Sequence, residues 1–243
     1  MSVERQQLQE GEQWRRPLVL LFDFDGVLLD SRKHTLFCIR AAQDSFRLDE
    51  ITNERFDELD GMTMEMMWKE LAPENHEALY SYYKTVVKDT FEEQIQLFDT
   101  ALEVLGKLKN KGCRLGLVTS RGKWSREVAF NKFDLGYFFE VVIDREDVKN
   151  HKPHPEPLYA AYAAYAELKR DAELTGTKIS PYQAIYIGDT LTDVVAARLA
   201  CMRVIWLTDR VQDGTVIEEH KEARMITGLQ DLLNMIEQMR KII

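Results

Sequence analysis

The sequence predicts an α/β fold: a parallel sheet with helices on both faces, split after its first strand by an all-helical insertion. Three observations lead there. Residues 18–22 form an unbroken apolar run, Leu-Val-Leu-Leu-Phe, that ends in the carboxylates Asp23 and Asp25 and then Gly26. A strand buried on both faces reads this way. From Asp99 onward, amphipathic segments alternate with short apolar runs, the pattern of a parallel sheet with crossover helices. Between these regions, residues 34–96 are rich in helix formers and contain no convincing strand. The expected division is a core domain of residues 1–32 and 98–243, with residues 33–97 as the helical insertion.

The elements follow in order. Met1 to Arg16 is rich in Gln and Glu and lacks a hydrophobic signal core, so it reads as a polar lead-in. In the insertion, Met64, Met67, Trp68 and Leu71 recur at helical spacing. Pro73 is expected to open a further helix, since proline is tolerated in a first turn, carrying Leu79, Tyr83, Val86, Val87 and Thr90. Thr100 to Lys111 is amphipathic and stops at Gly112, a C-terminal helix signal. Arg114 to Val118 reads as a short buried strand, and a helix is expected around Trp124 to Phe133. Phe139 to Ile143 follows as a strand, then a helix from Pro155 to about Leu174. Ala184 to Ile187, Arg203 to Leu207 and Ala223 to Ile226 complete the strands, and Leu229 to Lys241 is the last helix. No internal repeat or low-complexity tract is present.

Composition bounds the function. The chain has 243 residues, with 32 basic and 41 acidic side chains for a formal charge of −9. That balance argues against bulk attraction to nucleic acid or to an anionic membrane, so an anionic substrate needs a local positive site. No apolar run approaches the roughly 20 residues that span a bilayer, and a soluble, cytoplasmic protein is expected. Cys38, Cys113 and Cys201 are far apart and lack metal-ligand spacing, which predicts buried, reduced thiols. His34, His76, His151, His154 and His220 show no ligand spacing either.

The chemistry is concentrated at strand ends. Ligands of open α/β sheets collect at the carboxyl ends of the strands, which is where Asp23 lies. Residues two apart in an extended chain point the same way, so Asp23 and Asp25 face one ligand if the strand geometry persists. At about 4 Å and an effective dielectric near 20 their repulsion is on the order of 4 kcal/mol, and a cation or a division of roles is the expected remedy. The strand before Gly188 ends in Asp189, with Asp193 four residues on, able to face the same crevice if a helix starts near Thr190. Thr119 and Ser120 end another strand and place hydroxyl and N–H groups near a helix start, suited to a phosphate oxygen. Lys152, before Pro153, supplies positive charge at the end of a fourth.

This order, Asp23-Phe-Asp-Gly26, Thr119, Lys152, then Gly188-Asp189 with Asp193, resembles the haloacid dehalogenase superfamily over nearly the whole chain. The resemblance implies a Rossmann-like core, with the helical insertion as a cap of the C1 type, as in phosphoglycolate phosphatases and β-phosphoglucomutases. It implies that Asp23 attacks phosphorus and forms an aspartyl-phosphate, while Asp25 protonates the leaving alcohol and then activates water. Mg²⁺ is implied as cofactor, held by the Asp23 and Asp189 side chains and the Asp25 carbonyl, since oxygen donors favour a hard cation. Lys152 shares the task of offsetting anion repulsion, and Asp193 anchors either Lys152 or a metal-bound water. The segment Leu59-Asp-Gly-Met-Thr63 resembles the specificity loop of C1 caps, with Gly61, Met62 and Thr63 nearest the site.

Within the resemblance, an acid at position 25 separates phosphomonoester chemistry from halide release and phosphonate cleavage, which lack that proton donor. The expectation is therefore a Mg²⁺-dependent phosphatase of a small, soluble phosphoester. The alternatives are a β-phosphoglucomutase-like transferase and a non-catalytic binding protein of the same fold. Arg121 and Lys123 read either as contacts to the distal part of the substrate or as solvated charges. Thr119 and Ser120 have helix capping as their alternative role, and Asp193 that of a first-turn acid. Met62, Met64, Met66 and Met67 read as core of the insertion, and Tyr159, Tyr162 and Tyr165 as a packing stripe. Two departures from the family pattern stand out. The chain is longer than usual over residues 168–181, and Leu97-Phe98-Asp99 replaces a turn containing proline and glycine.

Overall fold

A computed structural model describes residues 19–59, 62–171, 184–208 and 223–241. The lead-in Met1 to Arg16, Gly61 and residues 172–181 of the long segment lie outside the described residues. The elements run β1 (Val19–Phe22), β2 (Leu29–Asp30), α1 (Arg32–Ser45), α2 (Asn53–Glu58), α3 (Met64–Leu71), α4 (His76–Gln94), β3 (Gln96–Leu97) and α5 (Ala101–Asn110). They continue with β4 (Arg114–Val118), α6 (Lys123–Phe133), β5 (Val141–Ile143), α7 (Glu156–Asp171), β6 (Ala184–Gly188), α8 (Leu191–Leu199), β7 (Arg203–Leu207), β8 (Arg224–Ile226) and α9 (Leu229–Lys241).

Six strands form one sheet in the order β5-β4-β1-β6-β7-β8, and every pairing in it is parallel. β1 is central because its four residues are apolar and all buried. Its alternate residues feed two cores, as a pleated strand requires. Leu20 and Phe22 join the cluster under α5, α6 and α9 with Leu105, Ala129 and Leu232. Val19 and Leu21 join the one under α7 and α8 with Leu158, Tyr165, Val194 and Ala197. Leu20, Leu21 and Phe22 are completely buried, each contributing about 1.5–3 kcal/mol of transfer free energy. The strands next to β1 lie on either side of it, so the crevice at its carboxyl end opens where the sheet order reverses.

Helices α1 to α4 share a third cluster around Trp68, Ile39, Phe56 and Leu79. Thr52 and Thr63 cap α2 and α3 by accepting hydrogen bonds from the Arg55 and Met66 N–H groups. The C-terminal part of α4 leaves this cluster, and Phe91 and Ile95 pack in the core beneath the sheet instead. A short antiparallel ribbon pairs Leu29 with Leu97 and Asp30 with Gln96, tying together the two chain crossings between the helical segment and the sheet.

Local expectations are corrected in four places. Pro73 does not open α4, which starts at His76. Residues 73–75 form a turn closed by the Asn75 N–H donating to the Ala72 carbonyl at 3.1 Å. The β2–β3 ribbon has two residues per strand, too short for a periodicity to register. Met67 is buried and Met64 packs on the helical cluster, but Met62 and Met66 are 42% and 55% exposed. Cys201 is exposed rather than buried, because it turns the chain out of α8 with φ 55°.

Candidate active site

The extended geometry of β1 stops before its acids. After Asp23 the chain turns, with the Leu28 N–H donating to the Phe24 carbonyl at 2.9 Å and Gly26 at φ 72°. Glycine is required at position 26 twice over, by that φ and by space. A Cβ there would stand 1.8 Å from Asp189 Oδ2. Gly188 is equally constrained, since its Cβ would meet that of Asp193 at 2.4 Å.

Asp23 is fixed at both oxygens. Oδ1 accepts from the Phe24 N–H at 2.7 Å, and Oδ2 lies 2.9 Å from Lys152 Nζ. The Asp23 N–H donates to the Ile187 carbonyl at 2.8 Å, which joins the ends of β1 and β6. Lys152 also donates to Asp193 Oδ1 at 2.7 Å and to the Tyr186 hydroxyl at 2.9 Å. Asp193 is completely buried. Its Oδ2 accepts from the Thr190 N–H at 3.0 Å and from the Thr190 hydroxyl at 2.6 Å. Its two expected roles therefore coincide: it caps α8 and anchors Lys152. Asp189 is held by its backbone, the carbonyl accepting from Trp206 Nε1 at 3.0 Å.

Asp23, Asp189 and Asp193 each offer a carboxylate oxygen within 4.8 Å of the others. Among these carboxylates, Asp23 and Asp193 share the Lys152 ammonium. The proton affinities reflect the burial of these groups and their mutual charges. Burial pushes the Asp23 carboxyl up to about 7 against the pull of Lys152, and Asp193 adds to the push. Burial opposes the charge on Asp193 as well, but Lys152 and the Thr190 hydrogen bonds outweigh it and hold this group below its ordinary value. Burial works against the Lys152 cation too, yet Asp193 and Asp23 raise its proton affinity well above that of a free lysine. An all-oxygen donor set of three carboxylates fits a hard divalent cation.

Asp25 is arranged differently. Its Oδ2 accepts from Arg121 Nε at 3.0 Å, and its Oδ1 accepts from Arg121 Nη2. Burial opposes ionisation, but the Arg121 charge and hydrogen bonds from Arg121 and Ser31 hold the carboxyl below its ordinary value. Thr119 is buried, and Ser120 is exposed. Neither caps α6, whose N-cap is Gly122. Instead the Thr119 hydroxyl oxygen accepts from the Arg121 N–H at 3.0 Å, which leaves its O–H available to donate. In the loop after α2, Met62 is exposed and Thr63 caps α3.

The structure thus brings Asp23, Lys152, Asp189 and Asp193 together, with Thr119 at the end of neighbouring β4 and Asp25 two residues beyond Asp23. Two participants escaped the sequence reading. Tyr186 looked like any apolar strand residue, although a hydroxyl on β6 alternating with Ile185 and Ile187 has to find a polar partner. Arg121 reads from sequence as a contact to the distal part of the substrate or as a solvated charge, and no local pattern reveals that its fork reaches back across 96 positions to Asp25.

Comparison with known proteins agrees with this geometry. The model of the haloacid dehalogenase-like hydrolases matches residues 20–207. Pyrophosphatase PpaX of Bacillus cereus is 24% identical over 222 residues, covering 91% of this chain and 97% of that protein. A solved haloacid dehalogenase-like hydrolase from Bacteroides fragilis is 25% identical with a TM-score of 0.74, covering 89% of this chain and all of that one. A Thermotoga maritima protein assigned to the β-phosphoglucomutases shares the fold at 22% identity and a TM-score of 0.69, covering 91% and 99%. No helix among the described residues is long and apolar enough to cross a membrane.

Proposed function

Because this chain belongs to the haloacid dehalogenase-like hydrolases and is a phosphohydrolase, we propose that it hydrolyses a small soluble phosphomonoester through an aspartyl-phosphate on Asp23. The observation that carries this reading is the immobilised Asp23 carboxylate at the carboxyl end of the central strand, flanked by Lys152 and Asp189. In the first half-reaction an Asp23 oxygen forms a bond to phosphorus, the ester P–O bond breaks, and Asp25, protonated once it leaves the Arg121 fork, gives its proton to the departing alkoxide. In the second, Asp25 takes a proton from water, the water oxygen bonds phosphorus, and the P–O bond to Asp23 breaks to release inorganic phosphate.

Thr119 and the amides beside Ser120 are suited to hold the phosphoryl oxygens. Lys152 favours the ionised form of Asp23 against burial, orients it, and offers the phosphoryl group a positive neighbour. Asp193 and Tyr186 hold Lys152 in place. Mg²⁺, which Asp23 and Asp189 would hold with the Asp25 carbonyl, supplies the positive charge that lets a carboxylate approach a phosphate dianion. Residues 33–97 act as a cap that excludes water, with Gly61, Met62 and Thr63 in its specificity loop, over a core of residues 1–32 and 98–243. A cytoplasmic setting accords with Cys38 and Cys201 as free thiols.

The T. maritima neighbour motivates a second reading, in which the same phosphoenzyme returns its phosphoryl group to a sugar. A phosphate-release screen across phosphorylated metabolites with Mg²⁺, using Asp23→Asn as control, tests the proposal. Release of phosphate that the substitution abolishes is the expected result. Activity in Asp23→Asn within a few-fold of the unsubstituted protein would overturn the nucleophile assignment, and isomerised sugar phosphate without free phosphate would decide for the transferase.

A further inference from the structure

Arg121 is the cation of the site that the proposed hydrolysis leaves without a task. Its backbone is fixed on both sides, the N–H donating to Thr119 Oγ1 at 3.0 Å and the carbonyl accepting from the Arg145 N–H at 3.1 Å. Its side chain crosses from the β4 loop toward helix α4, where the guanidinium carbon lies 4.7 Å from the centre of the Phe91 ring. Trp124 covers the same phenyl ring at 5.9 Å. Both fork nitrogens used by Arg121 are spent on Asp25.

Both oxygens of Asp25 are in turn held by Arg121, with Ser31 as a further donor, and this grip conflicts with the work proposed for Asp25. A carboxyl that hands a proton to the leaving oxygen has to face that oxygen, and a carboxylate gripped at both atoms does not. Asp25 and the leaving group therefore require Arg121 to change partner during the cycle. Lys152 is committed to Asp23 and Asp193, so among the described residues Arg121, beside Asp25, is the cation placed to meet an added negative charge on the leaving side. A guanidinium fork is matched by another planar or tetrahedral oxyanion, a carboxylate or a phosphate.

Resting on the proposed phosphatase reading, we infer that Arg121 is the specificity-determining residue for leaving groups that carry a second anion, exchanging Asp25 for that anion when substrate binds. The substrate class is then a phosphorylated hydroxy acid or a phosphoanhydride. A neutral alcohol as leaving group does not draw the guanidinium away from Asp25.

The test compares kcat/KM for phosphoglycolate, pyrophosphate and 2-hydroxyethyl phosphate, the last nearly the size of the first but with a neutral leaving group. The protein is expected to favour at least one anionic leaving group over the neutral one by about tenfold to a hundredfold, the range of one hydrogen-bonded pair to a charged group. Which of the two is favoured identifies the second anion as carboxylate or phosphate. Arg121→Gln is expected to bring the ratio close to one, mainly through KM. Arg121→Lys, which keeps the charge and loses the fork, is expected to recover part of it. If Arg121→Gln does not fold, the ratio in the unsubstituted protein and in Arg121→Lys decides. Equal efficiency on all three compounds, or equal losses on all three in Arg121→Gln, would overturn the role of Arg121 and leave the phosphatase reading standing. No phosphate from any of the three or from the wider screen would overturn both.

Discussion

Asp23 and Asp25 leave the same strand end two residues apart, yet their surroundings are opposed. Asp23 keeps 9% of its side chain exposed and sits with Asp189 and Asp193 around a single lysine. Asp25 keeps 36% exposed and sits in the fork of its own arginine. The first cluster gathers three carboxylates, and burial lifts Asp23 to about 7. The second pair is neutral by itself, and its carboxyl is held below the ordinary value. One acid belongs to a cluster of oxygen donors, and the other to a pair that neutralises itself.

Substitutions at the two acids separate them most strongly. Asp23→Asn removes the bond-forming atom and is expected to lower kcat by about 10⁴-fold or more, the scale of losing a covalent nucleophile; a steady-state phosphate assay checks it. Asp25→Asn is expected to cost about 10²- to 10³-fold, the range of a general acid–base group. Because both half-reactions need it, rapid-quench experiments on Asp25→Asn should find slowed formation and slowed loss of the phosphoenzyme. A loss as deep as that of Asp23→Asn, with no phosphoenzyme formed, would erase the distinction between them.

Smaller effects sharpen the same contrast. Gly26→Ala drives a methyl group into Asp189 and is expected to weaken Mg²⁺ by about a hundredfold, at the upper end for disturbing a ligand's support. The thermal shift on Mg²⁺ titration reads this independently of turnover. Asp193→Asn leaves Lys152 with Asp23 as its remaining carboxylate partner. It is expected to cost about 3 kcal/mol of stability, the lower end for breaking a buried pair, and about tenfold in activity. Urea unfolding and kcat measure the two.

Legibility in the sequence tracked how local each cause is. The strands β4, β6 and β7 were readable within a residue or so, because burial on both faces makes an apolar run that needs no partner to be recognised. Asp23, Thr119 and Asp189 stood out because each directly follows such a run, whereas Lys152, nine residues past β5, and Asp193, in the first turn of α8, are legible through the family resemblance. The β2–β3 ribbon was invisible, since two residues of strand carry no period. The start of α4 was misread because a proline fits a turn as readily as a first helical turn. Met62 and Met66 were misplaced because methionine spacing alone does not tell which face of α3 meets the neighbouring helices.

The sequence by itself determined the alternation of strand and helix, the helical interruption after β1, and the residue types waiting at the strand ends. These depend on apolar patterning and backbone preference, which act over a few residues. The tertiary structure alone decided that Asp193 both caps α8 and grips Lys152, that Tyr186 joins them, and that Asp25 is held by Arg121 rather than standing beside Asp23. Those outcomes join residues up to 96 positions apart. They are set by which strand ends the sheet order brings together and by the cost of leaving a buried charge without a partner.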